Sequence, residues 1–156
     1  MARSARKLDF EMSTCFAAST RKASRHLAQL YDRALEPCGL KTTQYSILAE
    51  LNRRSKKPPT IVELAFALVL ERSALGHNLR PLVRDGFIEL QGSAKDRRRR
   101  NVVLTPLGKA KYQKAKPLWE TAQARFRKVF GESEAARLRE SLLDIAFDER
   151  LAALTD

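Results

Sequence analysis

The chain has 156 residues, of which 44% are hydrophobic and 31% charged, and this balance predicts one soluble globular domain. Its 30 lysines and arginines outnumber 18 aspartates and glutamates, so the formal net charge is +12. No apolar run is long enough to span a bilayer, and the N-terminus lacks the apolar block of a secretory signal, so we expect a cytoplasmic protein. Such an excess of positive charge is typical of domains that bind phosphates, although a membrane surface or an acidic protein would attract it too.

The sequence offers little that an enzyme needs. Two histidines, His26 and His77, and two cysteines, Cys15 and Cys38, are too few and too scattered for a catalytic cluster or a disulfide framework. The glycine-rich phosphate-binding motifs, the His-Glu zinc motif and the Cys-x-x-Cys motif are absent. We therefore predict that the chain is not an enzyme and uses no cofactor or metal.

The first two predicted helices are separated by a proline-glycine break. From Met12 to about Leu35, apolar residues recur with the period of a helix, and the stretch EPCGL ends it. A second helix begins with Thr42 or Thr43 as its cap and continues through Leu51. The basic stretch NRRSKKPP follows, and its two prolines prevent the helix from continuing.

Two short helices joined by a tight turn come next, and they predict a helix-turn-helix. Thr60 and Glu63 have the spacing of a capping box at the start of a third helix, Ile61 to about Leu68. The stretch ERSALGHNLRPLVRDG predicts a fourth helix that ends at Gly86. Helical spacing places four of its residues on one buried face: Leu75, Leu79, Leu82 and Val83.

The rest of the chain predicts a hairpin and a long helical region. The segments FIELQ and NVVLT read as antiparallel strands around the loop GSAKDRRRR. The helix that follows contains Pro117, which predicts a kink or an early break. Its predicted apolar stripe consists of Ala110, Lys114, Leu118, Trp119, Ala122, Phe126, Val129 and Phe130. Gly131 separates it from a last helix, Glu132 to about Leu154. The side chains of that helix predicted to point inward are Leu138, Leu142, Ile145 and Ala146.

Together these elements predict a mainly α fold with a small β-hairpin wing (α+β), which is a winged helix-turn-helix in a helical frame. The predicted DNA-binding unit is residues 41–105, within a single domain of residues 12–150. The flanking segments, residues 12–40 and 106–156, are too apolar to stand alone. We predict that they pair with each other and with a second copy of the chain.

In a winged helix, the second helix of the helix-turn-helix enters the major groove and the wing reaches the adjacent minor groove. The predicted recognition-helix contacts are Arg72, Ser73, Ala74, His77, Asn78, Arg80 and Arg84. The predicted wing contacts are Lys95, Asp96, Arg97, Arg98, Arg99 and Arg100, with Asp96 orienting Arg98. The predicted contacts to the DNA backbone are Arg53, Arg54, Lys56, Lys57 and Thr60. The alternative explanation is an exposed helix face and a solvated run of charge.

The order of these motifs resembles the multiple-antibiotic-resistance regulator (MarR) family. The stretches TIVELA and ERSALGHNLRPLVRDGFI carry the resemblance, and the wing pattern D-x-R-x-x-x-V-x-L-T-x-x-G, from Asp96 to Gly108, is its most specific part. The resemblance covers about residues 12–150. It implies a homodimeric transcription factor, usually a repressor, that binds a palindromic double-stranded operator and dimerises through its terminal helices.

The resemblance also implies a small aromatic effector that releases the DNA. By analogy, the residues around it would be Cys15, Ser19, Lys22, Tyr45, Leu48 and Trp119. Ordinary core packing is the alternative for each of them. A redox sensor that uses Cys15 is another alternative, but alignment on Gln44 and Tyr45 places the sensing cysteine of that branch at Ala17. We therefore expect Cys15 to be a packed thiol.

Two other functions remain open at this point. A sequence-neutral nucleic-acid-binding architectural protein would use the same positive charge without reading bases. A protein–protein adaptor would use the winged helix as a docking face.

Overall fold

The computed structural model describes residues 15–92 and 100–155. The helices in these ranges are α1 (Phe16–Leu35), α2 (Thr42–Arg53), α3 (Ile61–Leu68), α4 (Arg72–Arg84), α5 (Pro106–Phe130), α6 (Glu132–Phe147) and α7 (Glu149–Ala152). The strands are β1 (Ile88–Gly92) and β2 (Arg100–Leu104), and short 3-10 turns follow α1 and α7. A mainly helical chain with one antiparallel hairpin confirms the predicted fold class.

One hydrophobic core holds α2, α3, α4 and the hairpin together. Its fully buried side chains include Ile47, Leu48, Leu51, Leu64, Leu75, Leu82, Ile88 and Val102. Burying a side chain of this size stabilises the fold by roughly 1.5–3 kcal/mol. Leu35 at the end of α1 and Ala115 of α5 belong to the same core. The terminal helices are therefore packed directly onto the DNA-binding unit.

The ends of α3 and α4 follow the local sequence signals. The Thr60 backbone N–H donates to Glu63 Oε2 at 2.7 Å, and the Glu63 N–H donates to Thr60 Oγ1 at 3.2 Å, so the predicted capping box is confirmed. Gly86 has φ 73° and its N–H bonds Val83 O at 3.0 Å. The Phe87 N–H bonds Leu82 O at 2.9 Å, which completes the paired bonds of a Schellman motif.

The strands β1 and β2 form the stem of the wing, and β2 makes hydrogen bonds along both of its edges. β1 pairs antiparallel with β2 in a register that sets Ile88 opposite Leu104 and Gly92 opposite Arg100. On the other edge of β2, the Val102 N–H donates to Pro59 O at 2.8 Å. The stem is therefore bonded to the residue just before the cap of α3, which fixes it relative to the helix-turn-helix.

Thr105 and Gly108 join the wing to the start of α5. The Thr105 hydroxyl donates to Gly86 O at 2.7 Å and accepts from the Gly108 N–H at 3.0 Å, so it bonds the end of α4 and caps α5. A Cβ on Gly108 would collide with the Phe87 carbonyl oxygen. These contacts explain why Thr105 and Gly108 stand at the end of the wing pattern.

Three predictions about the early and middle helices are wrong in detail. The cap of α2 is Lys41, one residue before the predicted threonines, because the Thr42 hydroxyl bonds another helix. Val83 is 39% exposed, because it lies about 80° around α4 from Leu75, at the edge of the buried face. Of the kink or early break predicted at Pro117, the early break is wrong, because α5 continues through this residue. The predicted start of the first helix at Met12 lies outside the described residues.

The predicted faces of the last two long helices also need correction. On α5, Ala110 and Lys114 are exposed, and the buried residues are Gly108, Ala115 and Ala122. The middle of the predicted stripe does face inward, because Ala122 is buried and Leu118, Trp119 and Phe126 are half-buried. The prediction is wrong at the two ends of the stripe, since Val129 and Phe130 are exposed as well.

The last predicted helix is interrupted at Asp148, whose carboxylate accepts from the Arg150 N–H at 2.8 Å and caps α7. Leu138 is half-buried, but three residues predicted to point inward are exposed, because no element within residues 15–92 and 100–155 covers them: Leu142, Ile145 and Ala146. No helix in the described part of the chain is both long and apolar enough to cross a membrane.

Candidate nucleic-acid interface

The outer face of α4 is polar and accessible along its whole length. Leu75, Leu79 and Leu82 are buried on the inner face, so helical spacing turns the intervening residues outward. The exposed residues of the predicted recognition set are Arg72, Ser73, Ala74, His77, Arg80 and Arg84. A helix of this kind fits the major groove of B-DNA, which is about 12 Å wide. The structure therefore leaves this face free for DNA.

Asn78 is the one half-buried residue of the recognition set. Its Nδ2 donates to Ala74 O at 2.9 Å, one helical turn earlier. An asparagine reads adenine with both its amide oxygen and its amide nitrogen. Asn78 would have to release the Ala74 carbonyl to do so, whereas His77 is exposed without that constraint.

The three arginines on α4 differ in their surroundings. Arg84 Nε lies 2.8 Å from Asp85 Oδ1, and the hydrogen bond from this guanidinium holds the pKa of Asp85 below its ordinary value. Arg72 and Arg80 make no ion pair within residues 15–92 and 100–155. Two unpaired cations on one helix favour contact with phosphates.

The five residues predicted to contact the DNA backbone differ in how available their side chains are to DNA. Arg53 and Arg54 share the Glu50 carboxylate, with one N–O distance of 2.6 Å to each arginine. The hydrogen bond from Arg53 is the largest influence that lowers the pKa of Glu50. The Thr60 hydroxyl is part of the capping box. Lys56 and Lys57 are exposed, so they are the cations in this set most available to DNA.

Only one of the six predicted wing contacts, Arg100, lies within the described residues. Lys95, Asp96, Arg97, Arg98 and Arg99 lie outside the described residues. Arg100 begins β2, opposite Gly92, and is exposed. The prediction that Asp96 orients Arg98 stays a prediction.

The residues predicted to surround an effector are divided between the core and the surface. Tyr45 is buried between the rings of Tyr112 and Trp119, with both centroid distances 5.6 Å. Burial raises the pKa of Tyr45, and the neighbouring Tyr112 adds to the rise, so the phenol stays neutral. Leu48 is also in the core, which matches the alternative of ordinary packing.

Cys15, Ser19 and Lys22 are all exposed on or beside the first half of α1. The expectation of a packed Cys15 thiol is wrong for this single chain, because Cys15 is the residue before α1 and its side chain is exposed.

A cavity of about 720 Å³ lies between α1, α5 and α6. Its lining is mostly apolar and includes Leu27, Trp119, Phe126, Leu138, Leu142 and Leu143. On its polar wall, the Tyr31 hydroxyl donates to Gln123 Oε1 at 2.8 Å. Sequence reasoning missed this bond, because its two residues are 92 positions apart and carry no shared motif.

A helix-turn-helix followed by a hairpin that is bonded to it defines a winged-helix DNA-binding protein. The family model described as MarR family matches residues 39–99. The M. tuberculosis transcriptional regulator MosR, solved in complex with DNA, has 36% sequence identity to this chain, and its structure matches with a TM-score of 0.78. The match covers 88% of this chain and 98% of MosR. The chain therefore belongs to the MarR family of transcriptional regulators and is a DNA-binding regulator.

Two further solved structures share the fold. CouR bound to a 23-mer DNA duplex is 24% identical with a TM-score of 0.79, and the match covers 91% of this chain and 99% of CouR. The structure of CouR from Rhodococcus jostii RHA1 bound to p-coumaroyl-CoA matches with 19% sequence identity and a TM-score of 0.73. This match covers 87% of this chain and 94% of CouR. A search of curated proteins found no match.

Proposed function

We propose that this chain is a homodimeric repressor that binds a palindromic operator with two winged helices. The observation that carries the proposal is the accessible polar face of α4. The opposite face of α4 is buried in the core, and the hairpin beside it is bonded to the helix-turn-helix. Ser73, Ala74 and His77 lie toward the first half of α4, from which recognition helices contact base edges. The four arginines of the wing supply charge for the minor groove.

Exposed apolar side chains on the terminal helices support a dimer. They include Phe16, Val129, Leu142, Leu143, Ile145, Phe147, Leu151 and Leu154. Three of them, Phe16, Ile145 and Leu151, line one open pocket on the surface. A large exposed apolar patch marks an interaction site, because it would otherwise face water. The cavity between α1, α5 and α6 has the same apolar character. Helices of a second copy would cover both surfaces, and a two-fold dimer is the commonest way to do so.

The proposed dimer dictates the form of the operator. Two recognition helices related by a two-fold axis read two inverted half-sites, whose centres lie about one helical turn, roughly 34–36 Å, apart. A repressor of this form acts in the cytoplasm, where it meets the genome.

A small aromatic effector is the finer part of the proposal. The related CouR structure holds p-coumaroyl-CoA. In this chain, Trp119 contacts both the aromatic stack and the cavity, so a ligand beside it would touch the dimer helices and the DNA-binding core together. A screen of thermal unfolding against aromatic acids and their thioesters tests this part, and a ligand that raises Tm must also weaken operator binding.

Selection of bound duplexes from a random-sequence pool tests the main proposal. We expect enrichment of one two-fold symmetric sequence, bound by two chains. Binding to every duplex with equal affinity would instead identify the sequence-neutral architectural protein. No binding at low salt would favour the protein–protein adaptor.

A further inference from the structure

Asp32, near the end of α1, bonds the first residue of α2. Asp32 Oδ1 accepts from the Thr42 backbone N–H and from the Thr42 hydroxyl, both at 2.7 Å. Asp32 Oδ2 lies 3.5 Å from Lys41 Nζ. The residues are ten positions apart and lie on opposite sides of the turn that joins the two helices. One carboxylate thus holds both residues at the N-terminus of α2.

This contact replaces a cap that the local sequence does not provide. The first N–H groups of a helix have no partner within the helix, and a side chain of the N-cap residue usually accepts from one of them. The N-cap of α2 is Lys41, whose ammonium group can only donate. The Gln44 side chain accepts from the Lys41 N–H at 2.9 Å, and the Asp32 carboxylate accepts from the Thr42 N–H. The negative charge also complements the positive end of the helix dipole.

The position of this contact gives it a further consequence. α1 belongs to the terminal helices that are proposed to form the dimer, and α2 is the first helix of the DNA-binding unit. Other connections between these parts run through α5, where Tyr112 and Trp119 stack on Tyr45 of α2. At the start of α5, Thr105 bonds the end of α4. With the buried residues Leu35 and Leu40 on either side of the turn, Asp32 fixes the direction in which α2 leaves α1.

We infer that Asp32 is a positioning residue that sets the separation of the two recognition helices in the dimer, and thereby the half-site spacing that the regulator accepts. The inference rests on the proposed function. Without the contact, the DNA-binding unit samples more orientations relative to the dimer helices. The apparent dissociation constant rises as the fraction of molecules in the matching orientation falls, so a fall of that fraction to about one tenth weakens binding about tenfold.

The test compares variants on duplexes built from the operator that the wild type selects. One duplex carries both half-sites, one carries a single half-site, and a series moves the half-sites apart in single base pairs. We expect Asp32→Ala to bind the full operator about tenfold more weakly, to keep the wild-type affinity for the single half-site, and to lose less affinity than wild type at altered spacings.

Two further variants separate position from charge. Asp32→Asn keeps an acceptor oxygen for Thr42, so it should retain the wild-type spacing preference. Glu36→Ala removes an equal charge from an exposed residue four positions later and should match wild type on every duplex. If Asp32→Ala does not fold, Thr42→Val takes its place. It deletes the bonds from the Thr42 hydroxyl to Asp32 and to the Ala28 carbonyl oxygen of α1 but keeps the bond from the Thr42 N–H, so a smaller loss confined to the full operator is expected.

The inference is overturned if Asp32→Ala behaves as Glu36→Ala does on the full operator, or if it loses equal affinity for full and single sites. An unchanged spacing profile would overturn it as well. A wild-type protein that selects no paired half-sites would instead contradict the proposed function, so the two failures are distinct.

Discussion

At the scale of single residues, two side chains hold the joints between helices. Asp32 bonds α1 to the start of α2, and Thr105 bonds the end of α4 to the start of α5. Both contacts place an oxygen where a helix N-terminus offers unpartnered N–H groups. We therefore expect that removing the Asp32 charge, or adding a side chain at Gly108, changes the free energy of unfolding.

The pKa of Asp32 leads to a prediction about pH. Partial burial raises this pKa, but hydrogen bonds from Thr42, together with Lys41, outweigh burial and hold it below its ordinary value. The charged carboxylate therefore stabilises the fold at neutral pH, and this contribution is lost as the pH falls from the unfolded-state pKa, about 3.9, through the folded value.

The measurement is urea unfolding of wild type and Asp32→Asn at one protein concentration. At pH 7 we expect the variant to be about 1–2 kcal/mol less stable, with the difference shrinking toward pH 3. Glu36→Gln serves as the control, with little difference at either pH. A difference between wild type and Asp32→Asn that stays constant from pH 7 to pH 3 would exclude this role of the charge.

Gly108 gives a second prediction at this scale. Gly108→Ala places a Cβ against the Phe87 carbonyl oxygen, and relief of such overpacking costs typically about 1–3 kcal/mol. The matched control is Gly76→Ala in the interior of α4, whose Cβ would have no atom within 4 Å and which should gain about 1 kcal/mol from helix propensity. Unfolding midpoints that move in the same direction for both variants would contradict the close approach of Gly108 to the Phe87 carbonyl.

At the scale of elements, we propose that the wing contacts phosphates and that α4 contacts base edges. Arg98→Ala should weaken operator binding by a few kcal/mol at most and reduce the salt dependence by about one phosphate contact. Lys116→Ala removes the same charge from α5, where Lys116 lies 3.6 Å from Glu120, and should change neither quantity much. Wild-type affinity and salt slope in Arg98→Ala would show that the wing assignment is wrong.

His77 on α4 should affect sequence preference instead. His77→Ala is expected to change which bases are favoured in a selection experiment, because the exposed His77 side chain is proposed to contact base edges. Its control is Lys56→Ala, which should weaken binding to all sequences alike. A uniform loss in His77→Ala would reduce His77 to a backbone contact.

Local signals account for the elements that the sequence predicts well. Thr60 and Glu63 are three residues apart and Gly86 follows its helix directly, so the patterns that specify these helix ends are visible in a short stretch. Contacts between distant segments leave no such pattern, and Asp32 with Thr42 and Tyr31 with Gln123 are examples. The burial of Gly108 in α5 has the same origin, because its approach to Phe87 is a tertiary contact.

At the scale of the whole molecule, the exposed apolar side chains of α6 explain why sequence and single-chain structure disagree. Helical spacing predicts Leu142 and Ile145 as inward residues, yet both are exposed in one chain. In the proposed dimer, a second copy covers both side chains. A buried face predicted from sequence is thus, in the proposed dimer, an interface.

Ile145→Glu tests the dimer. A buried unpaired carboxylate at the interface is costly, so the variant should sediment with half the wild-type mass. Val62→Glu on α3 is the matched control, since Val62 is 60% exposed and Ile145 58%, and it should keep the wild-type mass. A dimeric Ile145→Glu would place the interface elsewhere.

The ratio of dissociation constants for the selected operator and for random duplex, measured at one salt concentration, tests the central claim most directly. If α4 reads bases while the wing positions it, the operator binds roughly 10³-fold or more tightly than random DNA. A ratio near one would contradict sequence-specific recognition by this winged helix.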